Sequence, residues 1–217
     1  MASRQIYLVN NKEPYYRKYT CEFTYYNGFS KAQKQRSIRS LHEAYHKLHS
    51  DQKLLEVSRA SEDELGMKLS AFNLMVYVPS SGKRIPLECV FQGGKVYEHG
   101  GPYLDMYEMR PGDAKKDERK EKSGRIISFE FEGRRFPNEP RTFFYDYLYL
   151  RALKENKDVS EKLLEYDGFT DIYFNPEKAE NCQAISCAKY VSLMRCGKLD
   201  EYLEKQDAIV EAFNKTE

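Results

Sequence analysis

Tryptophan is missing from the 217 residues, and cysteine is scarce and odd in number: Cys21, Cys89, Cys182, Cys187 and Cys196. No two of these form a CxxC pair, which speaks against both a disulfide framework and a zinc site, so they read as reduced, buried thiols. Nothing in the spacing of His, Cys, Asp and Glu calls for a metal or a cofactor. No window approaches the roughly 18 consecutive apolar residues of a membrane span. The start "MASRQIYLVNN" lacks the apolar core of a secretory signal, so a cytoplasmic protein with no membrane contact is expected. Neither sign of charge dominates. The 35 Lys+Arg face 34 Asp+Glu for a formal net charge of +1, which excludes a polycation that grips nucleic acid by bulk charge and leaves only a local basic patch for such a role. Internal repeats and low-complexity tracts are also missing. What the chain does have is apolar surface, 41% of its residues with 18 Tyr and 12 Phe, enough for one core although 32% of the residues are charged.

The segment "RQIYLVNNKEPYYRKYTCEFTYYNGF" alternates apolar and polar residues and breaks at Asn10-Asn11 and Asn27-Gly28, which predicts one or two strands in residues 1–30. A helix is expected over 31–48, because Ser30 with Gln33 forms a capping-box pattern and Ile38, Leu41, Tyr45 and Leu48 recur at helical spacing. Its early turns carry Lys31, Lys34, Arg36 and Arg39, either a solvated helix face or a track for phosphates. Ser61 with Glu64 and a stop at Gly66 bracket a short helical turn, and "KLSAFNLMVYVP" reads as a strand. Residues 110–125, "RPGDAKKDERKEKSGR", hold almost nothing apolar and are expected as an exposed loop. After the strand pattern "RIISFEFEG" come four helical patterns running to the end of the chain, with Gly197 as a stop for the third. The expected fold is mainly α with a few short strands: a helical domain over 31–217 with an N-terminal β-containing extension over 1–30 packed on its core.

"PLECVFQGGKVYEHGGPY", residues 86–103, departs most from an ordinary buried helix. Pro86 suits a helix start, where its missing N–H costs nothing. Glu88 then falls in the first turn, where the helix dipole favours a carboxylate for structural reasons alone. Glu88, Gln92 and Lys95 stand at i, i+4 and i+7, so an unbroken helix would place a carboxylate, an amide and an ammonium along one wall. Gly93-Gly94 inside that helix would cost about 1 kcal/mol each relative to alanine, which implies close approach of either a neighbouring element or a ligand. Gly100-Gly101 reads as the helix exit. His42, His46 and His49 share one helix without further ligands and read as packing or surface residues.

The blocks "GFSKAQKQRSIRSLHEAY", "GMKLSAFNLMV", "PLECVFQGGKVYEHGGPY" and "EKLLEYDGFTDIYFNPEKAENCQAISCAKYVSLM" together resemble the DarT-associated NADAR antitoxin family, a branch of the YbiA-like NADAR fold. The resemblance runs over residues 20–200. It implies an ADP-ribose N-glycosidase. The family's F-S-N-F block is similar to Leu69-Ser70-Ala71-Phe72, with Ala71 in place of asparagine. Its S-E-H-x-x-Q-x-x-K block is similar to Leu87-Glu88-Cys89 with Gln92 and Lys95, with Cys89 in place of histidine. Phe136 falls near the family's tryptophan as a candidate stacking surface. The D-x-x-W-G block resembles Asp171-Ile172-Tyr173-Phe174, and Asn181 resembles an asparagine that precedes the last core helix.

On this resemblance Glu88 and Asp171 are the expected catalytic carboxylates. Ser70, Phe72, Gln92, Lys95, Phe136, Asn181, Arg36 and Arg39 are the expected ligand-binding residues. Read from the residues alone, Asp171 is first an ordinary turn cap, and only the resemblance makes it a catalytic residue. The implied activity is hydrolysis of ADP-ribose from a DNA base, with guanine as the implied base. The implied partners are ADP-ribosylated DNA and a DarT-like toxin whose modification the chain reverses. Two other readings stand beside it: an N-glycosidase of a small phosphoribosyl metabolite, and an antitoxin that binds toxin or DNA without turnover.

Overall fold

The computed structural model describes residues 2–177 and 179–215, which fall into two compact units. Of the described residues 44% are helical and 21% lie in strands, and the nine strands form three sheets. The fold is therefore α+β and not the mainly helical domain expected. The strand content escaped the sequence pattern because six of the strands are only three or four residues long. That is too short for a two-residue period to declare itself.

The first unit comprises Met1–Ser70 and Lys157–Leu199. Strands β1 (Ala2–Val9) and β2 (Tyr16–Phe23) form an antiparallel hairpin in which Ala2 faces Phe23 and Val9 faces Tyr16. The other edge of β1 pairs antiparallel with β9 (Gly168–Thr170), which in turn pairs parallel with β3 (Leu54–Glu56). Residues 1–30, expected as an extension, thus supply two of the four strands of a sheet ordered β2-β1-β9-β3. Gly168 lets these strands close together, since a Cβ there would lie 2.6 Å from side-chain carbons of both Leu8 and Leu54.

Helix α1 (Lys31–His46) begins where the Ser30 hydroxyl accepts the Gln33 N–H at 3.3 Å, and it ends two residues short of expectation. Its Ile38, Leu41 and Tyr45 join Ile6, Leu8, Cys21 and Phe23 in the core of this unit. Each such burial stabilises the fold by roughly 1.5–3 kcal/mol. The short helix α2 (Glu64–Lys68) is capped by Asp63, whose carboxylate accepts the Leu65 N–H at 2.8 Å, and not by Ser61. Gly66 lies within it and does not stop it: a Cβ there would come within 2.0 Å of the Glu56 carbonyl oxygen. Helices α7 (Lys157–Leu163) and α8 (Gln183–Arg195) complete the unit.

The second unit comprises Ala71–Asn156 and Asp200–Glu217. Its first part is the hairpin β4 (Met75–Val78) and β5 (Lys83–Pro86), followed by α3 (Leu87–Gly93). Strands β6 (Lys95–Tyr97), β7 (Ile126–Phe131) and β8 (Arg134–Pro137) then form an antiparallel sheet, with α6 (Phe143–Glu155) and α9 (Leu199–Lys215) after it. Residues 110–125, expected as a loop, carry two short helices, α4 (Pro111–Lys116) and α5 (Arg119–Lys122).

The core here is aromatic. Phe129 stacks on Phe144 at 4.8 Å between ring centroids, and Phe136 meets Phe144 at 4.9 Å and Tyr147 at 4.7 Å. Such pairs contribute about 0.5–1.5 kcal/mol beyond the area they bury. Phe136 is fully buried among them, so its ring faces are occupied by the core and are not open to stack on a ligand. Among the described residues, no helix is long and apolar enough to cross a membrane.

Candidate functional site

Helix α3 is held at its start by backbone pairing. The Leu87 N–H donates to the Leu74 carbonyl and the Glu88 N–H to the Ala71 carbonyl, both at 2.8 Å, so two N–H groups that a helix start leaves unpaired are satisfied. Pro86 stands at the N-cap with φ −54° and closes β5. The helix ends at Gly93, well before Lys95, and Gly94 is its C-cap.

Packing explains both glycines. A Cβ on Gly93 would lie 2.8 Å from the Tyr107 ring, and one on Gly94 would lie 2.6 Å from the Glu130 carbonyl oxygen. Gly100-Gly101, expected as a helix exit, instead follows β6, where the Tyr97 N–H donates to the Gly100 carbonyl at 2.7 Å.

The expected polar wall survives this change, by a different route. The Gln92 amide donates to Glu88 Oε1 at 2.9 Å, and Lys95 Nζ, from the first residue of β6, donates to Gln92 Oε1 at 2.8 Å. Glu88 and Gln92 are buried, with 5% and 6% of their surface exposed. Two further lysines come from the supposed loop. Lys115 Nζ lies 3.7 Å from Glu88 Oε1 and 5.6 Å from the centre of the Phe72 ring, and Lys120 Nζ donates to Gln92 Oε1 at 3.3 Å. Lys120 also donates to the Lys115 carbonyl, which ties α5 to α4.

One ammonium group, that of Lys115, thus lies in ion-pair range of Glu88, and two more, those of Lys95 and Lys120, converge on its partner Gln92. Burial, helped by Lys120, pushes Lys95 down to about 8, and burial likewise lowers Lys120. Cys89, the neighbour of Glu88, donates to the Met109 carbonyl at 3.3 Å, and burial pushes its thiol up to about 11, which keeps it protonated and unreactive at neutral pH.

The remaining expected residues lie in the first unit. Asp171 follows β9 and accepts the Tyr173 N–H at 3.0 Å, the turn-capping geometry its position allows. Its flanking residues are anchored by the buried Glu56 carboxyl, which accepts from Thr170 Oγ1 at 2.6 Å and from the Ile172 N–H at 2.9 Å. Burial raises the Glu56 pKa against these hydrogen bonds. Ser70 Oγ and Asn181 Oδ1 are both buried, and neither has a hydrogen-bond partner among the described residues. A buried polar atom left in that condition costs about 1–3 kcal/mol unless something pairs it. Arg39 forms a 2.9 Å ion pair with Glu62, and Arg36 lies 4.1 Å over the Tyr26 ring. A cleft of about 390 Å3 in this unit, bordered by Asn10, Lys12, Arg17, Gln52, Asp167 and Arg195, contains none of the expected residues.

Lys115 and Lys120 are the site residues that sequence reasoning missed. Their stretch reads as a solvated charge run, and nothing local distinguishes these two cations from Lys116 and Lys122.

An α+β protein with a buried carboxylate, a bridging amide and converging ammonium groups defines a site able to hold an anionic ligand beside an acid. The chain belongs to the DarT1-associated NADAR antitoxin family, whose pattern matches residues 2–217. No curated protein matches it. Membership makes it an antitoxin-family protein whose counterpart is a DarT toxin.

Proposed function

We propose that the chain is a hydrolase that releases ADP-ribose from a DNA base, with guanine as the favoured base, and so reverses the modification made by its DarT-like toxin. The observation that carries this reading is the buried Glu88 set against Gln92 and the ammonium groups of Lys95, Lys115 and Lys120. Three cations and one carboxylate leave two positive charges, the complement of a pyrophosphate, whose oxygens accept strong charge-assisted hydrogen bonds from lysine.

The reaction breaks the C1′–N bond between ribose and base while a water oxygen bonds to C1′. One proton of that water is released to a general base and the leaving nitrogen takes up a proton, giving ADP-ribose and the intact base. Positive charge develops at C1′ as the bond breaks, and a carboxylate held in a dry site stabilises it. In this reading Glu88 is that carboxylate, oriented by the Gln92 amide, and Asp171 is the second catalytic carboxylate. The face of Phe72 next to Lys115 suits a flat base. Ser70 Oγ can donate to or accept from a sugar hydroxyl and Asn181 Oδ1 can accept from one, which would relieve their unpaired state.

The test is direct. DNA modified by the cognate toxin is incubated with the purified chain, and free ADP-ribose and restored base are measured. Parallel reactions use small phosphoribosyl conjugates. Release from DNA alone supports the reading, and release from the small conjugates alone makes the chain a metabolite glycosidase. Full protection of cells by a catalytically dead Glu88→Gln chain would mean that the antitoxin acts by binding.

A further inference from the structure

The loop between β2 and α1 carries a group that the hydrolytic site does not use. Phe29 is fully exposed at 105%, at the tip of the turn Asn27-Gly28-Phe29-Ser30. Gly28 has φ +137°, a conformation that side-chain-bearing residues rarely adopt, and this turn sets Phe29 outward. Aromatic and basic groups interleave beside it. Lys34 Nζ lies 5.0 Å from the centre of the Tyr25 ring and donates to its hydroxyl, the Arg4 guanidinium lies 5.7 Å from the same ring, and Arg36 covers Tyr26 at 4.1 Å.

From Thr24 to His42 the sequence contains Lys31, Lys34, Arg36 and Arg39 and no acid. Arg39 is paired with Glu62, whereas Lys31, Lys34 and Arg36 have no acidic partner among the described residues. An exposed aromatic ring beside unpaired cations matches the chemistry of a nucleic-acid strand. The ring stacks on the face of a base and the cations take the flanking phosphates. A duplex presents only base edges in its grooves, so a ring that needs a base face selects an unpaired strand.

We propose that this face binds single-stranded nucleic acid, with Phe29 stacking on an unpaired base and Lys31, Lys34 and Arg36 engaging the adjacent phosphates. The inference deepens the reading of ADP-ribosylated DNA as substrate and rests on it.

The test is fluorescence anisotropy on the full chain, with a fluorescein-labelled, unmodified single strand of mixed sequence and the same sequence as a duplex. The single strand binds more tightly than the duplex. Phe29→Ala weakens single-strand binding by about 5- to 150-fold, the range for loss of one base–aromatic stack. Lys34→Gln with Arg36→Gln flattens the salt dependence by about 0.7 in log–log slope for each lost phosphate contact. Melting curves confirm that these surface variants stay folded.

Unchanged single-strand affinity in the folded Phe29 variant overturns the proposal. So does equal loss of duplex and single-strand binding, which would mean a generic cationic surface. If Phe29→Ala abolishes binding to the purified toxin and leaves strand affinity intact, the face is a protein-docking surface and the proposal falls. Because the probe is unmodified and no turnover is read, strand binding through Phe29 by a chain that releases no ADP-ribose sustains this inference while sinking the hydrolase reading. Hydrolysis without strand binding does the reverse.

Discussion

Replacing Glu88 by glutamine separates chemistry from folding, because the two consequences differ in size. The substitution keeps shape and volume but removes the charge. In the folded protein it exchanges a hydrogen bond from Gln92 to a carboxylate for one to an amide, a difference of about 1 kcal/mol between charged and neutral acceptors. It also removes the 3.7 Å pair with Lys115, whose side chain is 59% exposed, so that screening leaves at most about 1 kcal/mol. The summed cost of about 1–2 kcal/mol shifts Tm by only a few degrees in a chain of this size. If Glu88 stabilises the charge at C1′ or activates water, turnover falls by about 10²- to 10⁴-fold, equivalent to about 3–5.5 kcal/mol of barrier.

Release of ADP-ribose from toxin-modified DNA, measured beside a melting curve, reads both numbers. A second signature accompanies them. Glu88 holds up the pKa of both Lys95 and Lys120, so in the variant the lysines lose their protons at lower pH and the alkaline loss of ADP-ribose binding moves toward neutrality. A folded Glu88→Gln chain with wild-type turnover refutes the assignment, as does a loss of activity that only tracks unfolding.

Other perturbations probe the same geometry. Lys95, pushed down to about 8 by burial, loses its proton well below the ordinary lysine value of 10.5. Affinity for an anionic ligand should therefore fall as pH rises through about 8, visible in kcat/KM against pH and lost in Lys95→Met. The stability effect has the opposite sign: between about 8 and 10.5 the unfolded chain binds more protons, so the Lys95 contribution to stability rises with pH across that window. Lys115→Ala and Lys120→Ala each raise KM several-fold with little change in kcat if they hold phosphates, whereas an unchanged KM in both removes them from the site. Asp171→Asn keeps a side-chain oxygen for the Tyr173 N–H and so preserves folding, but abolishes turnover if the carboxylate is catalytic. Phe136→Ala destabilises by about 3–5 kcal/mol as a core truncation. A raised KM at unchanged Tm would instead return it to the ligand.

The most locally encoded features were the most legible. The Ser30 cap and the apolar stripe of α1 act within one or two helical turns, and the structure forms both. The Glu88, Gln92 and Lys95 pattern was visible for the same reason, although the helix that should have carried all three stops at Gly93. The Lys95 side chain is long enough to restore the contact from the first residue of β6. Family membership was also legible, because it rests on several blocks in order along one chain.

Tertiary structure decided what depends on residues far apart in sequence. The pairing of Tyr7 with Phe169 and of Glu56 with Thr170 adds to the β1–β2 hairpin two three-residue strands, β9 and β3, that show no period of their own. Sequence alone left the glycine pair open between packing and ligand, and the Tyr107 ring and Glu130 carbonyl close it in favour of packing. Phe136 looked available for stacking until Phe144 and Tyr147 closed around it. Lys115 and Lys120 were two cations in a charge run until the folding of α4 and α5 aimed them at Glu88 and Gln92. Composition and periodicity report what a segment can become, while the partner of a charge or a ring is fixed only when distant segments pack. That is why the contact between Glu88 and Gln92 could be read from the sequence and the approach of Lys115 and Lys120 to them could not.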